Sequence, residues 1–215
     1  MIFLIRVLFF SLLCTQSYGK NIFSIDKETL FNSEKKYGYE AKQRIQELIK
    51  LLNKLDKESE LKKLEDINDF FNKINYNTDL KVWNKKDYWA SRAEFLNIAN
   101  GDCEDYVIAK YFSLRQLGLP AEKIFLTYVK AIKYRQSHMI LTYFKSKGSV
   151  PLVLDNINTK ILPSTKRRDL RPLFSFNGEK IYMAKQRGLG HVVPSGKVNL
   201  SQWSELILKI KKEKK

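Results

Sequence analysis

The chain is short of the residues that carry most enzyme chemistry. Its 215 residues include two cysteines and two histidines. One of the cysteines, Cys14, lies in an N-terminal stretch that reads as a removable leader. "MIFLIRVLFFSLLCTQSYG" has one early cation, Arg6, an apolar run from Val7 to Leu13, and small residues at Ser17 and Gly19 where a signal peptidase reads. The apolar run is too short to span a bilayer comfortably, so a retained anchor is the weaker reading. A lipoprotein reading of Cys14 meets Leu13 where a small residue is needed. Residues 1–19 are therefore expected to be a secretory signal peptide. Residues 20–215 remain, enough for one domain with a sizeable core.

That leaves Cys103 alone, which excludes an internal disulfide. In an oxidising compartment a lone thiol is a liability unless it is buried or useful. Acidic residues are also in deficit: 23 Asp and Glu face 39 Lys and Arg, a net charge of +16, or +15 once Arg6 has gone. No basic stretch is interleaved with aromatics as a nucleic-acid platform requires, and an exported protein has little access to nucleic acid. The lysines, which end in "KIKKEKK", suit a solvated surface, or failing that an acidic partner. No internal repeat is present.

What is there begins with helix. "EAKQRIQELIKLLNKL" puts Ile45, Leu48, Leu51, Leu52 and Leu55 on one stripe, and "ESELKKLEDINDFFNKINY" does the same with Leu61, Leu64, Ile67, Phe70, Phe71 and Ile74. Asp56 or Ser59 suits the second N-cap. The pattern predicts two antiparallel helices between Ser33 and Tyr76, in a helical part over about 26–76. A catalytic core follows over about 78–200. "NTDLKVWNKKDYWASRAEFLNIAN" reads as a packed loop with a short helix near Ser91 to Ile98. Its Trp83, Tyr88 and Trp89 suit either a cleft lining or simple burial. A helix is expected from Cys103 to Leu117, capped by Asp102 and stopped by Gly118 and Pro120. Three strand-like runs follow: "KIFLTYVKAI", "HMILTYFK" and "VPLVLDNI". "STKRRDLRPLFSFNG" is irregular, "EKIYMAK" suits a further strand, and "LSQWSELILKIKKEKK" a terminal helix. Helices followed by antiparallel strands imply an α+β domain.

A cysteine hydrolase needs a thiolate, a base and a group that orients the base. Cys103 is the remaining nucleophile, and His138 and His191 are the available bases. His138 opens one strand and Asp155 closes the next, so in a hairpin the two meet at one edge of the sheet. A helix starting at Cys103 can aim its N-terminus there, where the dipole favours the thiolate and the Cys103 N–H is free for an oxyanion. His191, in the glycine-rich "RGLGHVVPSG", has no obvious carboxylate. Asp102, Glu104 and Asp105 crowd the thiol with negative charge, which disfavours its ionised form. Something must offset them, or else Cys103 does no chemistry and they are ordinary first-turn acids.

"DYW", "NGDCEDYVIAKYFSLRQLGLP", "SHMIL" and "LVLDNI" together resemble the bacterial transglutaminase-like cysteine proteinases, over about Thr78 to Asn177. The resemblance implies a papain-like core of the transglutaminase kind, a catalytic helix packed on an antiparallel sheet. It implies Cys103 as nucleophile, His138 as base and Asp155 as its orienting partner. It also implies calcium beside the thiol, with Asp102 and Glu104 as ligands and Asp105 as a third. The expected activity is a periplasmic, calcium-dependent cysteine endopeptidase. Its implied substrate is the N-terminal region of a large surface adhesin, whose cleavage disperses a biofilm. Its implied regulator is the periplasmic domain of an inner-membrane cyclic-di-GMP receptor. A transglutaminase or amidase could use the same triad, and a binding domain could dispense with it.

Overall fold

The structure is a computed structural model and describes residues 22–25, 27–194, 198 and 200–213. The expected leader, residues 1–19 with Cys14, lies outside them. No helix among the described residues is long and apolar enough to cross a membrane.

Three helices come first among the described residues: α1 (Lys27–Tyr37), α2 (Tyr39–Leu55) and α3 (Glu60–Phe71). Helix begins at Lys27, ahead of the patterned stretch read from Ser33 but within the helical part expected over about 26–76, and Gly38 at φ +85° separates α1 from α2. The buried face of α2 is Ala41, Ile45, Leu48, Leu52 and Leu55, each fully buried Leu or Ile contributing about 1.5–3 kcal/mol. Ser59 caps α3, its hydroxyl accepting from Lys62 N–H at 3.3 Å. Leu64, Ile67 and Phe71 face inward as expected, whereas Leu61 is 51% exposed. At about 100° per residue, Leu61 lies roughly a quarter turn from the centre of the buried face formed by Lys63, Leu64, Ile67, Asn68 and Phe71.

The stretch expected as a packed loop contains helix α4 (Asp79–Trp83) and is flanked by a two-residue parallel pairing of β1 (Asn75–Tyr76) with β2 (Asn100–Gly101). Helix α5 (Arg92–Ile98) starts at Ser91 in a capping box: Ser91 Oγ accepts from Glu94 N–H and Glu94 Oε2 accepts from Ser91 N–H. Helix α6 (Cys103–Gln116) runs as predicted and stops at Gly118, φ +85°.

The strands β3 (Ile124–Ala131), β4 (Gln136–Tyr143), β5 (Leu152–Leu154), β6 (Leu162–Pro163), β7 (Leu170–Phe176), β8 (Ile181–Lys185) and β9 (Gly188–Val192) form one antiparallel sheet, ordered β6-β5-β4-β3-β7-β8-β9. Three of them were hidden in the sequence, β6 because its two residues are too few to show a pattern. β7 lies in the segment that reads as irregular, because Pro172 breaks its pattern. The proline is tolerated in a central position because the β3–β7 register shifts between Tyr128 and Val129, and Pro172 pairs with Val129 at that irregularity. β9 lies in the glycine-rich stretch around His191, on the sheet's outer edge. Helix α7 (Ser201–Glu213) ends the described chain.

Val107, Ile108, Tyr111 and Leu114 of α6 pack with Leu126, Met139, Leu141 and Leu154 of the sheet in the main core. A smaller cluster of Val129, Ala131, Ile140, Val153 and Leu170 fills the other face. The result is an α+β fold in which the helix bearing Cys103 lies on an antiparallel sheet.

Candidate active site

His138 and Asp155 come together at the β4–β5 edge. The antiparallel register pairs Leu141 with Leu154, which brings the start of one strand beside the end of the other. His138 Nε2 and Asp155 Oδ1 are 2.8 Å apart, and both residues are buried. Asp155 Oδ1 also accepts from Ile157 N–H at 3.0 Å, and Oδ2 from Arg167 Nη2 at 2.6 Å. Burial alone would raise this carboxyl. The hydrogen bond and charge of His138, the Ile157 N–H and Arg167 more than offset it and hold Asp155 well below the ordinary carboxylate range. An ionised carboxylate only accepts, so Nε2 carries the proton and Nδ1 is left for proton exchange.

Arg167 is itself 1% exposed. Its Nε and Nη2 donate to Asp169 at 3.0 and 2.8 Å, so one guanidinium is shared by two acids. Behind the same loop stands Lys110 of α6, fully buried. Its ammonium donates to Asn68 Oδ1 at 2.9 Å and Asn72 Oδ1 at 2.8 Å. Those amides in turn donate to the carbonyls of Thr159 and Asp155 at 2.8 and 3.0 Å. Burial pushes Lys110 down to about 7 against the pull of Asp155 and Asp69.

Cys103 begins α6. Its thiol donates to Glu104 Oε2 at 2.8 Å rather than to His138. Burial, then the charge of Glu104 and of Asp102, push the thiol well up, and the Met139 N–H opposes them only partly. The thiol is therefore protonated in this arrangement.

Beside it lies an acidic cluster. Asp79, Asp102 and Asp105 each place a carboxylate oxygen within 4.8 Å of the others. Asp105 Oδ1 accepts from Ala90 N–H at 2.8 Å and Oδ2 from Asp102 N–H at 3.3 Å, while Asp79 Oδ2 accepts from Tyr88 N–H at 2.6 Å. Gly101 makes room for this, since a Cβ there would collide with Asp105 Oδ2 and the Phe95 ring. Asp79 Oδ1 and Asp102 Oδ1 are buried and have no partner. Burial, Glu104 and Asp105 push Asp102 up to about 10. Asp105 is raised well above its usual range by burial, against the Ala90 N–H, and Asp79 is raised by burial with Glu104 adding to it.

Sequence reasoning missed Asp79, Arg167 and Lys110. Asp79 sits more than twenty residues before the "GDCED" motif, and only the α4 fold brings it back. Arg167 is one of many cations, with nothing in its spacing to mark it. The other histidine, His191, is exposed on β9. Of the aromatics, Trp89 is buried and stacks on Phe176 at 6.2 Å between ring centroids, while Trp83 packs on Tyr88 at 4.7 Å.

The fold and the buried His–Asp pair define a cysteine proteinase of the papain-like, transglutaminase-related kind. The family described as bacterial transglutaminase-like cysteine proteinases (BTLCP) matches residues 34–168, and the chain belongs to it. Among solved structures it is similar to Legionella pneumophila LapG. The EGTA-treated form is 34% identical at a TM-score of 0.74, over 85% of this chain and 96% of that one. The calcium-bound form is 34% identical at 0.73, over 86% and 99%. No curated protein matches the chain.

Proposed function

We propose that the chain is a calcium-dependent cysteine endopeptidase, exported by its leader to the periplasm, which cuts the N-terminal region of a large surface adhesin. The observation that carries the catalytic part is the His138–Asp155 pair, 2.8 Å apart and buried, at the sheet edge against which α6 packs. Asp155 fixes the tautomer and orientation of His138. Nδ1 accepts the Cys103 proton once the thiol gives up Glu104. The thiolate attacks the scissile carbonyl carbon, and the resulting oxyanion is met by the Cys103 N–H at the helix N-terminus. His138 returns its proton to the leaving amine as the C–N bond breaks, and water then hydrolyses the thioester.

Calcium answers the crowding of the thiol by acids. Two buried carboxylate oxygens without partners, among three carboxylates that repel one another, are the hard oxygen donors that calcium takes. Asp79, Asp102 and Asp105 would hold the ion, with Glu104 joining as it releases the thiol. When bound, the ion supplies the positive charge that offsets these acids. The likeness to a protein solved in calcium-bound and EGTA-treated forms supports this. Control by a cyclic-di-GMP receptor in the inner membrane follows from the family resemblance, through sequestration of the protease.

The test is incubation of residues 20–215 with a purified adhesin fragment, read by mass spectrometry. New termini are expected. Crosslinks without cuts would make the enzyme a transglutaminase, and release of ammonia alone an amidase. EGTA should silence cleavage and calcium restore it, with magnesium a poor substitute because it demands a smaller octahedral shell. Full cleavage in excess chelator would remove calcium from the proposal.

A further inference from the structure

Two acids of the cluster take backbone hydrogen bonds from a single short segment. Tyr88 N–H donates to Asp79 and Ala90 N–H to Asp105. Residues 88–90 are neither helix nor strand, yet they form a rail joining α4 to the start of α6. The rail is gripped from its other side by α7. Lys209 Nζ donates to the Trp89 carbonyl at 2.7 Å, pairs with Glu94 Oε2 at 2.6 Å and lies 4.0 Å from the centroid of the Tyr88 ring. Gln202 Nε2 donates to Asp87 Oδ2 at 2.8 Å, and Ser91 Oγ to Glu213 Oε1 at 2.7 Å. The segment from 87 to 91 is thus held at both ends and in the middle by one helix.

We infer that α7 is a latch for the acidic cluster and that Lys209 is its positioning residue. The inference rests on the calcium reading above. Trp89 O and Ala90 N belong to the same peptide plane. A donor that fixes the carbonyl therefore fixes the direction of the N–H that holds Asp105. Releasing the carbonyl frees that plane to rotate, and Asp105 loses the bond that aims it at Asp79 and Asp102. α7 lies beyond residues 34–168, where the family match ends, so the latch is contributed by the terminal segment of this chain.

Position and charge predict opposite signs. Lys209 is a cation close to a cation site, so deleting its charge should by Coulomb's law alone tighten calcium binding. Loss of the latch should weaken it.

The measurement is calcium affinity by titration calorimetry, in the Cys103→Ala full chain so that proteolysis does not interfere. Partners behind metal ligands typically control affinity by 10–100-fold, so Lys209→Met should bind calcium about tenfold more weakly. Lys209→Arg keeps a donor and the charge, and should recover most of the loss. Lys211→Met removes the same charge from the exposed side of α7, and should bind as well as the parent or slightly better. Circular dichroism checks that each variant is folded. If Lys209→Met does not fold, Gln202→Leu decides, with a smaller loss in the same direction. Lys209→Met binding calcium as tightly as its parent, or more tightly, overturns the latch and leaves the calcium site standing. Absence of calcium binding in the parent overturns the site itself and the latch with it.

Discussion

Asp155 and Asp102 are both carboxylates taken out of water by the same fold, and their acidities move in opposite directions. At Asp155 burial opposes ionisation, but His138, Ile157 N–H and Arg167 bring donors to both oxygens, and the carboxyl ends far below its usual range. At Asp102 burial acts together with Glu104 and Asp105, the carboxyl rises to about 10, and Oδ1 has no partner. An isolated buried charge costs several kcal/mol unless it is paired and hydrogen-bonded. The chain supplies that pairing at one site and withholds it at the other. The His138–Asp155–Arg167 site is complete as folded, whereas the Asp79–Asp102–Asp105 cluster leaves two buried carboxylate oxygens without a partner.

The largest effect should come from breaking the reaction at the junction of the two sites. Cys103→Ala and His138→Ala should each lower cleavage by at least about a thousandfold, since members of such a unit act together. Both should keep the fold, and His191→Ala, on the exposed edge strand, should cut at the parental rate. Product formation by mass spectrometry decides. A His138→Ala enzyme that works beside a dead His191→Ala enzyme would reassign the base.

Next comes the completed site. Arg167→Met removes the buried cation but leaves Asp155 in place. Breaking a buried pair by deleting one partner typically costs about 3–5 kcal/mol, and that is the destabilisation expected in urea unfolding at neutral pH. The loss should shrink in acid. Asp155 titrates lower folded than unfolded, so its stabilisation is present above the unfolded value near 4 and is lost as pH falls below it. An unchanged unfolding midpoint at pH 7 would mean that Arg167 does not balance Asp155.

The unfinished site should show the reverse slope. Asp102 titrates near 4 unfolded and at about 10 folded, so the folded chain holds a proton that the unfolded chain has lost. Stability without metal should therefore fall as pH rises between those values. Asp102→Asn should flatten that slope and be the more stable protein at pH 8 in EGTA. With calcium the order should invert, because an ion at a hundred times its dissociation constant adds about 2.7 kcal/mol to the parent and less to the variant. A parent whose metal-free stability rises from pH 5 to 9 would contradict the raised carboxyl.

The completed site was largely legible in the sequence, and the unfinished one only in part. Cys103, His138 and Asp155 each sit at the end of a strongly patterned element, and scarcity did much of the selection, with one cysteine outside the expected leader and two histidines to choose from. Asp102, Glu104 and Asp105 were visible because they adjoin the cysteine. The fold separates them, turning Glu104 to the thiol and grouping Asp79 with the other two. Asp79 could not be read, because its approach depends on α4 and on the irregular rail at 88–90. β7 escaped for a related reason: its signal is interrupted by the same Pro172 that the sheet absorbs at a register shift. Local periodicity reports regular elements well, but contacts made by loops and by irregular pairings leave no period to read.

The smallest effect expected is at Lys110, which supports the Asp155–Thr159 segment through Asn68 and Asn72. Its ammonium is buried and has two amide oxygens rather than a carboxylate as partners. Lys110→Met keeps the volume and removes a charge that burial penalises, which favours the variant. It also strips Asn68 Oδ1 and Asn72 Oδ1 of their donor, and each buried acceptor left unpaired costs about 1–3 kcal/mol. These terms oppose one another, so the net destabilisation at pH 7 should be only about 1 kcal/mol, within the range of ordinary substitutions. The pH dependence is the sharper readout. Lys110 is held at about 7 folded against about 10.4 unfolded, so the unfolded chain binds the extra proton between those values and stability should rise with pH across that window. The opposite slope of Asp102 overlaps it, so the comparison is made with calcium saturating, when the acids are balanced. There the parent should gain stability from pH 7 to 10 and Lys110→Met should not. Asn72 also holds the Asp155 carbonyl, so kcat should fall a little while KM stays the same. A pH-dependent rise that survives in Lys110→Met would show that another group carries it, and that the buried lysine stays charged across the window.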